Sequence, residues 1–257
     1  MSQDHTLMAS RYELKYRLSN SAALRVRKFV QQYLELDEYG QGQPDLAYPV
    51  HSLYLDSDDW TLYHRSLNGD KNRFKLRVRY YDERPTTPVF FEIKRRMKDV
   101  ILKQRCGVKR GGEADVLAGH FPPEKYLLSK AAEDLQALHR FQELMLRVQA
   151  KPQMHVAYRR EAYVNTFNNE VRVTFDRFVR AVPRPGGELV THMDKSLVCT
   201  TDLVILELKF TDRFPNWFRN LVETFDCFQS GAAKYVEGTT LHLGRHLSPA
   251  DVIRNLF

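Results

Sequence analysis

Apolar and polar residues alternate with a period of two along eight stretches of the chain, at about 10–18, 50–56, 73–82, 88–96, 100–109, 153–164, 170–182 and 203–211. These stretches are rich in β-branched and aromatic residues, and such alternation predicts strands that bury one face. Three other segments, 20–35, 129–149 and 215–228, carry apolar residues at helical spacing. In the second, Leu135, Leu138, Phe141, Leu144, Met145 and Val148 form a continuous stripe, as a helix packed on a sheet requires. Pro215 is placed in the first turn of the third, where proline costs no hydrogen bond. Shorter helices are expected at 58–66 and 248–256. The breaks at 40–44 (GQGQP), 84–88 (RPTTP), 110–112 (RGG) and 183–187 (PRPGG) are turn chemistry, too short for interdomain linkers. The pattern predicts one α+β domain over residues 1–257, an antiparallel sheet with helices packed on its outside.

The polar faces of the strands are charged. In FKLRVRYY (74–81), Lys75, Arg77 and Arg79 share one side and Leu76, Val78 and Tyr80 the other. Glu13, Lys15 and Arg17 alternate with apolar residues in RYELKYRL, as do Glu92 and Lys94 in VFFEIKRR, Arg172, Thr174 and Asp176 in EVRVTFD, and Glu207 and Lys209 in VILELKFTD. In a half-exposed sheet such faces point to water. A closed β-barrel offers a second arrangement, in which apolar faces meet covering helices and charged faces line the interior. That interior would be electropositive with a few carboxylates. It would suit a polyanion held by charge-assisted hydrogen bonds, with acids left to place a divalent cation.

Composition narrows the ligand class. With 39 Lys and Arg against 32 Asp and Glu, the net charge is +7, which favours an anionic partner. The three cysteines, Cys106, Cys199 and Cys227, lack metal or disulfide spacing, and the histidines are scattered without an HExxH motif. No glycine-rich phosphate loop and no GxSxG motif is present. The basic segment KRRMKDVILKQR (94–105) reads as a hairpin with solvated charges, and nucleic acid is not the expected partner. No run of about 18 apolar residues occurs, so no transmembrane segment is expected, and the anticipated location is cytoplasmic.

The stretches RYELKY, RVRYY, FEIKRR, YRREAY, VRVTFD, ELKF and AKYVEG, in this order between residues 10 and 238, together resemble the VTC domain. This is the polyphosphate polymerase domain of the vacuolar transporter chaperone complex, expected here in stand-alone form, within the triphosphate tunnel metalloenzyme (CYTH) group. The resemblance implies an antiparallel β-tunnel that transfers the γ-phosphate of ATP to a polyphosphate chain, a phosphotransferase requiring Mn2+ or Mg2+. By motif, it assigns Lys15, Arg77, Arg79, Lys94, Arg160, Arg172 and Lys209 to catalysis. Lys75, Lys103 and Lys234 join them in phosphate binding. Arg159 is the alternative to Arg160. Glu207 is implied as the metal ligand, with Glu13 and Glu92 as further candidates. Two departures stand out. SGAAKYVEG lacks the family's serine directly before the lysine. Arg11 precedes Glu13 and Lys15 where the triphosphatase branch has ExExK, which favours the polymerase. A tripolyphosphatase or nucleoside triphosphatase on the same tunnel, and a non-catalytic polyphosphate-binding module, stay open as alternatives. So does a membrane-protein partner that receives the product. On this reading Arg77→Ala or Arg79→Ala abolishes phosphate binding and leaves the fold intact.

Overall fold

All eight alternating stretches form strands, because each can bury one face while its backbone pairs with a neighbour. The computed structural model describes residues 11–98, 100–165 and 171–244. The long strands are β1 (Arg11–Ser19), β3 (Tyr48–Asp56), β4 (Asn72–Tyr80), β5 (Val89–Met97), β6 (Val100–Val108), β7 (Lys151–Val164), β8 (Val171–Pro183) and β10 (Leu203–Thr211). Two-residue strands, β2 (Glu35–Leu36) and β9 (Leu197–Val198), lie at the margins and are too short to show a period. The helices are α1 (Asn20–Val30), α2 (Thr61–Leu67), α3 (Glu113–Leu117), α4 (Ala132–Arg147), α5 (Asn216–Thr224) and α6 (Lys234–His242). Pro215 directly precedes α5 as its N-cap residue instead of entering the first turn. The helix expected at 248–256 lies outside the described residues. No helix among those described is long and apolar enough to cross a membrane.

Strand order is β2-β7-β3-β4-β5-β6-β1-β10-β8-β9, all antiparallel, and β7 also pairs with β8. The sheet therefore curls round on itself. The expected closed barrel is not what the ladder forms, however. Among the described residues the backbones of β1 and β6 meet at a single pair, Arg11 with Ile101, and a seam is left there. Side chains cross the gap: Lys94 on β5 donates to Glu13 on β1 at 2.8 Å.

Outward faces supply two apolar layers. Leu76, Val78, Phe91 and Ile93 pack under Leu138, Phe141 and Met145 of α4. Leu206, Leu208, Val173 and Phe175 pack under Val26 of α1 and Phe218 of α5. The Ser19 hydroxyl starts α1 by accepting from the Ala22 amide. A third cluster is internal, where α6 lies against β3, β7 and the far half of β8 through Tyr54, Val156, Val179, Ala181, Tyr235 and Val236.

A bulge in β8 makes that contact. Between Ala157 and Arg159 of β7 the register shifts, and the extra residue on β8 includes Phe178, with φ +54° and 65% exposed. One inserted residue reverses which parity faces inward. Arg172, Thr174 and Asp176 face the interior before the bulge, and Val179 and Ala181 meet α6 after it.

Candidate functional site

The inward faces enclose a cavity of about 560 Å³. Among the described residues thirteen lysines and arginines line it against two carboxylates, Glu13 and Glu207, so it is strongly electropositive. The structure brings all ten sequence-assigned cations together on its wall: Lys15, Lys75, Arg77, Arg79, Lys94, Lys103, Arg160, Arg172, Lys209 and Lys234. The alternative to Arg160 is turned away, with Arg159 gripping Asp45 at 2.6 Å.

Strand register arranges these cations in rows. Lys75 of β4 is opposite Lys94 of β5, which is opposite Lys103 of β6. Like charges directly opposed across a ladder destabilise it. Two of the three are compensated, Lys94 by Glu13 and Lys103 by Glu92 at 2.7 Å. Among the described residues Lys75 has no carboxylate within ion-pair distance. Burial, with Lys15, Lys94 and Arg73 around it, holds its ammonium well below the usual lysine range.

In the adjacent row Glu92 lies between Arg77 and Arg105. It is fully buried and accepts from Arg77 Nη2 at 2.6 Å. Arg79 donates to the Tyr158 hydroxyl at 3.0 Å, while its buried Nε makes no hydrogen bond among the described residues.

The opposite wall is organised by acids. Asp176 takes a two-pronged grip from Arg160, at 2.7 Å on each oxygen, and lies 2.6 Å from Lys234. Glu207 accepts from Lys209 at 2.6 Å, Lys234 at 2.9 Å and Arg160 at 3.2 Å, with Lys15 at 3.6 Å. Burial alone would raise the Glu207 carboxyl. Lys209, Lys234 and Lys15 overcome it and hold the group well below the carboxylate range. Glu13 is also low against the effect of burial, held by Lys94 and Lys15. Arg172 donates to Asp37 at 2.6 Å and to the Tyr48 hydroxyl at 3.2 Å. Lys234 enters from the start of α6, whose Tyr235 donates to the buried Asp56.

The three acids implied for the metal part company here. Glu13 and Glu207 occupy diagonal positions on β1 and β10, since Glu13 opposes Lys209 and Lys15 opposes Glu207. Glu92 lies behind the wall as the counter-ion of Arg77 and Lys103. Among the described residues no group of three or more His, Cys, Asp or Glu converges. Mg2+ and Mn2+ favour oxygen ligands, and Mg2+ is commonly held by one or two carboxylates with substrate phosphates and water completing the shell. Glu207 and Glu13 fit a metal bound together with phosphate, and do not form a protein-only cage.

Arg73, Arg96 and Arg105 also line the cavity. Their signal was the same alternation, one step beyond the residues the motifs covered. Asp37, which lies in a turn, had no such signal.

Among solved structures, the fold is similar to a provisionally named adenylate cyclase from Bacillus halodurans, at 15% identity over 87% of this chain and 95% of that one, with a TM-score of 0.46. It is also similar to the PH1819 protein of Pyrococcus horikoshii OT3, at 13% identity over 84% of this chain and 86% of that one, with a TM-score of 0.37. The family model of the VTC domain matches residues 10–242, a span that includes every residue lining the cavity. The chain belongs to the VTC domain family.

Proposed function

We propose that the cavity is a triphosphate tunnel and that the protein is a metal-dependent polyphosphate polymerase using ATP. The observation that carries this reading is the row of three opposed lysines, with Lys75 uncompensated among the described residues, facing one cavity in a chain of this family. An anion bridging that row turns its repulsion into attraction.

Phosphoryl transfer asks the protein mainly for positioning and charge stabilisation. Arg79 and Arg172 offer guanidinium donors to non-bridging phosphate oxygens, Arg77 and Arg160 keep their forks on Glu92 and Asp176 and add positive charge, and Lys15, Lys94, Lys209 and Lys234 add point charges. A bound Mg2+ or Mn2+, held by Glu207 with Glu13, would neutralise charge on the phosphate oxygens. The terminal oxygen of the acceptor chain is already anionic at neutral pH and attacks the γ-phosphorus without a general base. The bond from that phosphorus to the β–γ bridging oxygen breaks, and ADP leaves with the electron pair.

Hydrolysis would instead need a group that orients water and takes its proton. Glu13 and Glu207 are poorly suited, because surrounding cations hold both well below the usual range. This favours transfer between phosphates. The test is incubation of the protein with ATP, Mn2+ or Mg2+ and a short polyphosphate primer, with products resolved on a gel. Polymer that lengthens with time and is lost in Glu207→Ala is the expected result. Free phosphate without polymer would replace the polymerase with a hydrolase, and neither product would leave a binding module.

A further inference from the structure

At one mouth of the cavity the lining changes from charged to aromatic. Tyr39, 63% exposed, makes an edge contact with Tyr48 at 5.7 Å between ring centroids. Tyr48 meets Tyr81 at 6.3 Å, and Tyr81 meets Phe90 at 6.4 Å. The Arg105 guanidinium lies 3.4 Å over the Phe90 ring. The arc thus runs from solvent to the wall, and Tyr48, Tyr81 and Arg105 line the cavity itself.

Its members are immediate neighbours of the cations on the wall. Phe90 is opposite Arg79, Tyr48 is opposite Arg160, and the Tyr48 hydroxyl accepts from Arg172. Inorganic phosphate gains nothing from such rings, whose negative faces repel anions. Nucleobases gain much, since they stack on aromatic side chains and on guanidinium planes.

We propose that this arc is a nucleobase-stacking site, which seats the base of a nucleoside triphosphate while its phosphates run inward past Arg172, Arg160 and Arg79. The assignment rests on the triphosphate reading of the cavity and adds what that reading lacks, the end at which the nucleoside sits. Stacking reads a ring face and not a hydrogen-bonding edge, so ATP and GTP are both ligands.

The test compares ATP with inorganic tripolyphosphate, measured by calorimetry without divalent metal, on the wild type, Tyr81→Ala and Phe90→Leu. Both substituted side chains are partly exposed, and circular dichroism checks that the variants are folded. The expected result is a fivefold or greater loss of ATP affinity in Tyr81→Ala, with tripolyphosphate affinity changed less than twofold. A triphosphate carrying 2-aminopurine should lose fluorescence on binding the wild type and keep it on binding the variants. Equal losses for both ligands, or no loss for either, would overturn the stacking site while leaving the phosphate site in place. Failure of both ligands to bind the wild type would overturn the triphosphate reading and this assignment with it.

Discussion

Lys75 and Arg77 are two residues apart on one face of β4, yet they contribute to the wall with opposite sign. Arg77 pairs with a fully buried carboxylate, Glu92, and its guanidinium is held well above its ordinary range despite burial. Removing it takes away the shortest contact of Glu92 but leaves Lys103, Arg105 and Arg79 beside the acid, so the cost should fall below the about 3–5 kcal/mol of a buried charge left unpaired. Arg77→Ala therefore should lower the unfolding midpoint as well as phosphate binding, contrary to the expectation from alternation alone. Lys75→Met relieves repulsion without orphaning an acid. It should raise the thermal midpoint while weakening tripolyphosphate binding, and a fall in both would contradict this account.

Lys103 adds a pH dependence. Although its side chain is 46% exposed, desolvation against the wall pushes its ammonium down to about 7, with Arg77 and Arg79 acting in the same direction and Glu92 opposing. Above that pH the free protein loses a charge that the unfolded chain keeps until about 10. Stability of the free fold should rise across this window, because the unfolded state binds more protons. Phosphate affinity should fall over the same window. Binding at pH 8 should take up protons, measured by calorimetry in buffers of different ionisation enthalpy, and the uptake should shrink in Lys103→Arg.

Among the elements, the eight long strands were legible because runs of alternation mark each of them, even β8, whose parity toward the apolar layer reverses at its bulge. α6 was not. Its sequence, KYVEGTTLH, contains a glycine and two threonines, weak helix formers, and Lys234 through Thr240 are buried, so no polar stripe marks it. The β8 bulge left only a faint trace, the break in alternation where Asp176 and Arg177 and then Phe178 and Val179 stand side by side in DRFVRAV. Those two features meet at Gly238. A Cβ there would stand 2.4 Å from the Ala181 Cβ, so the helix can approach the strand only with hydrogen at this position. Gly238→Ala should destabilise the fold by about 1–3 kcal/mol in denaturant titration, the usual cost of overpacking. Adding Ala181→Gly should recover part of it. Full tolerance of the single change would argue against this packing.

For the molecule as a whole, the site was legible further than the architecture that closes it. Inward-facing cations follow from parity strand by strand, whereas Asp37 and Asp56 act from turns or strand ends through partners far away in sequence. The β1–β6 seam is likewise a property of how all strands curl together. With one backbone pair there among the described residues, the ion pair of Lys94 and Glu13 adds to its cohesion. Native-state hydrogen exchange should find β6 amides on the β1 side opening locally, while the β4–β5 ladder exchanges only near global unfolding. Equal protection of both would mean that the seam is closed.

The grip of Lys209, Lys234 and Arg160 on Glu207 has a last consequence. The carboxylate is an anion tethered in the place that phosphate oxygens would take, so the cavity already holds a stand-in for its guest. Phosphate would enter by exchange with this resident, and affinity would record only the difference between the two. Fewer small ions would be set free than the number of cations on the wall suggests, which makes such binding less sensitive to salt than an unoccupied basic groove of equal charge.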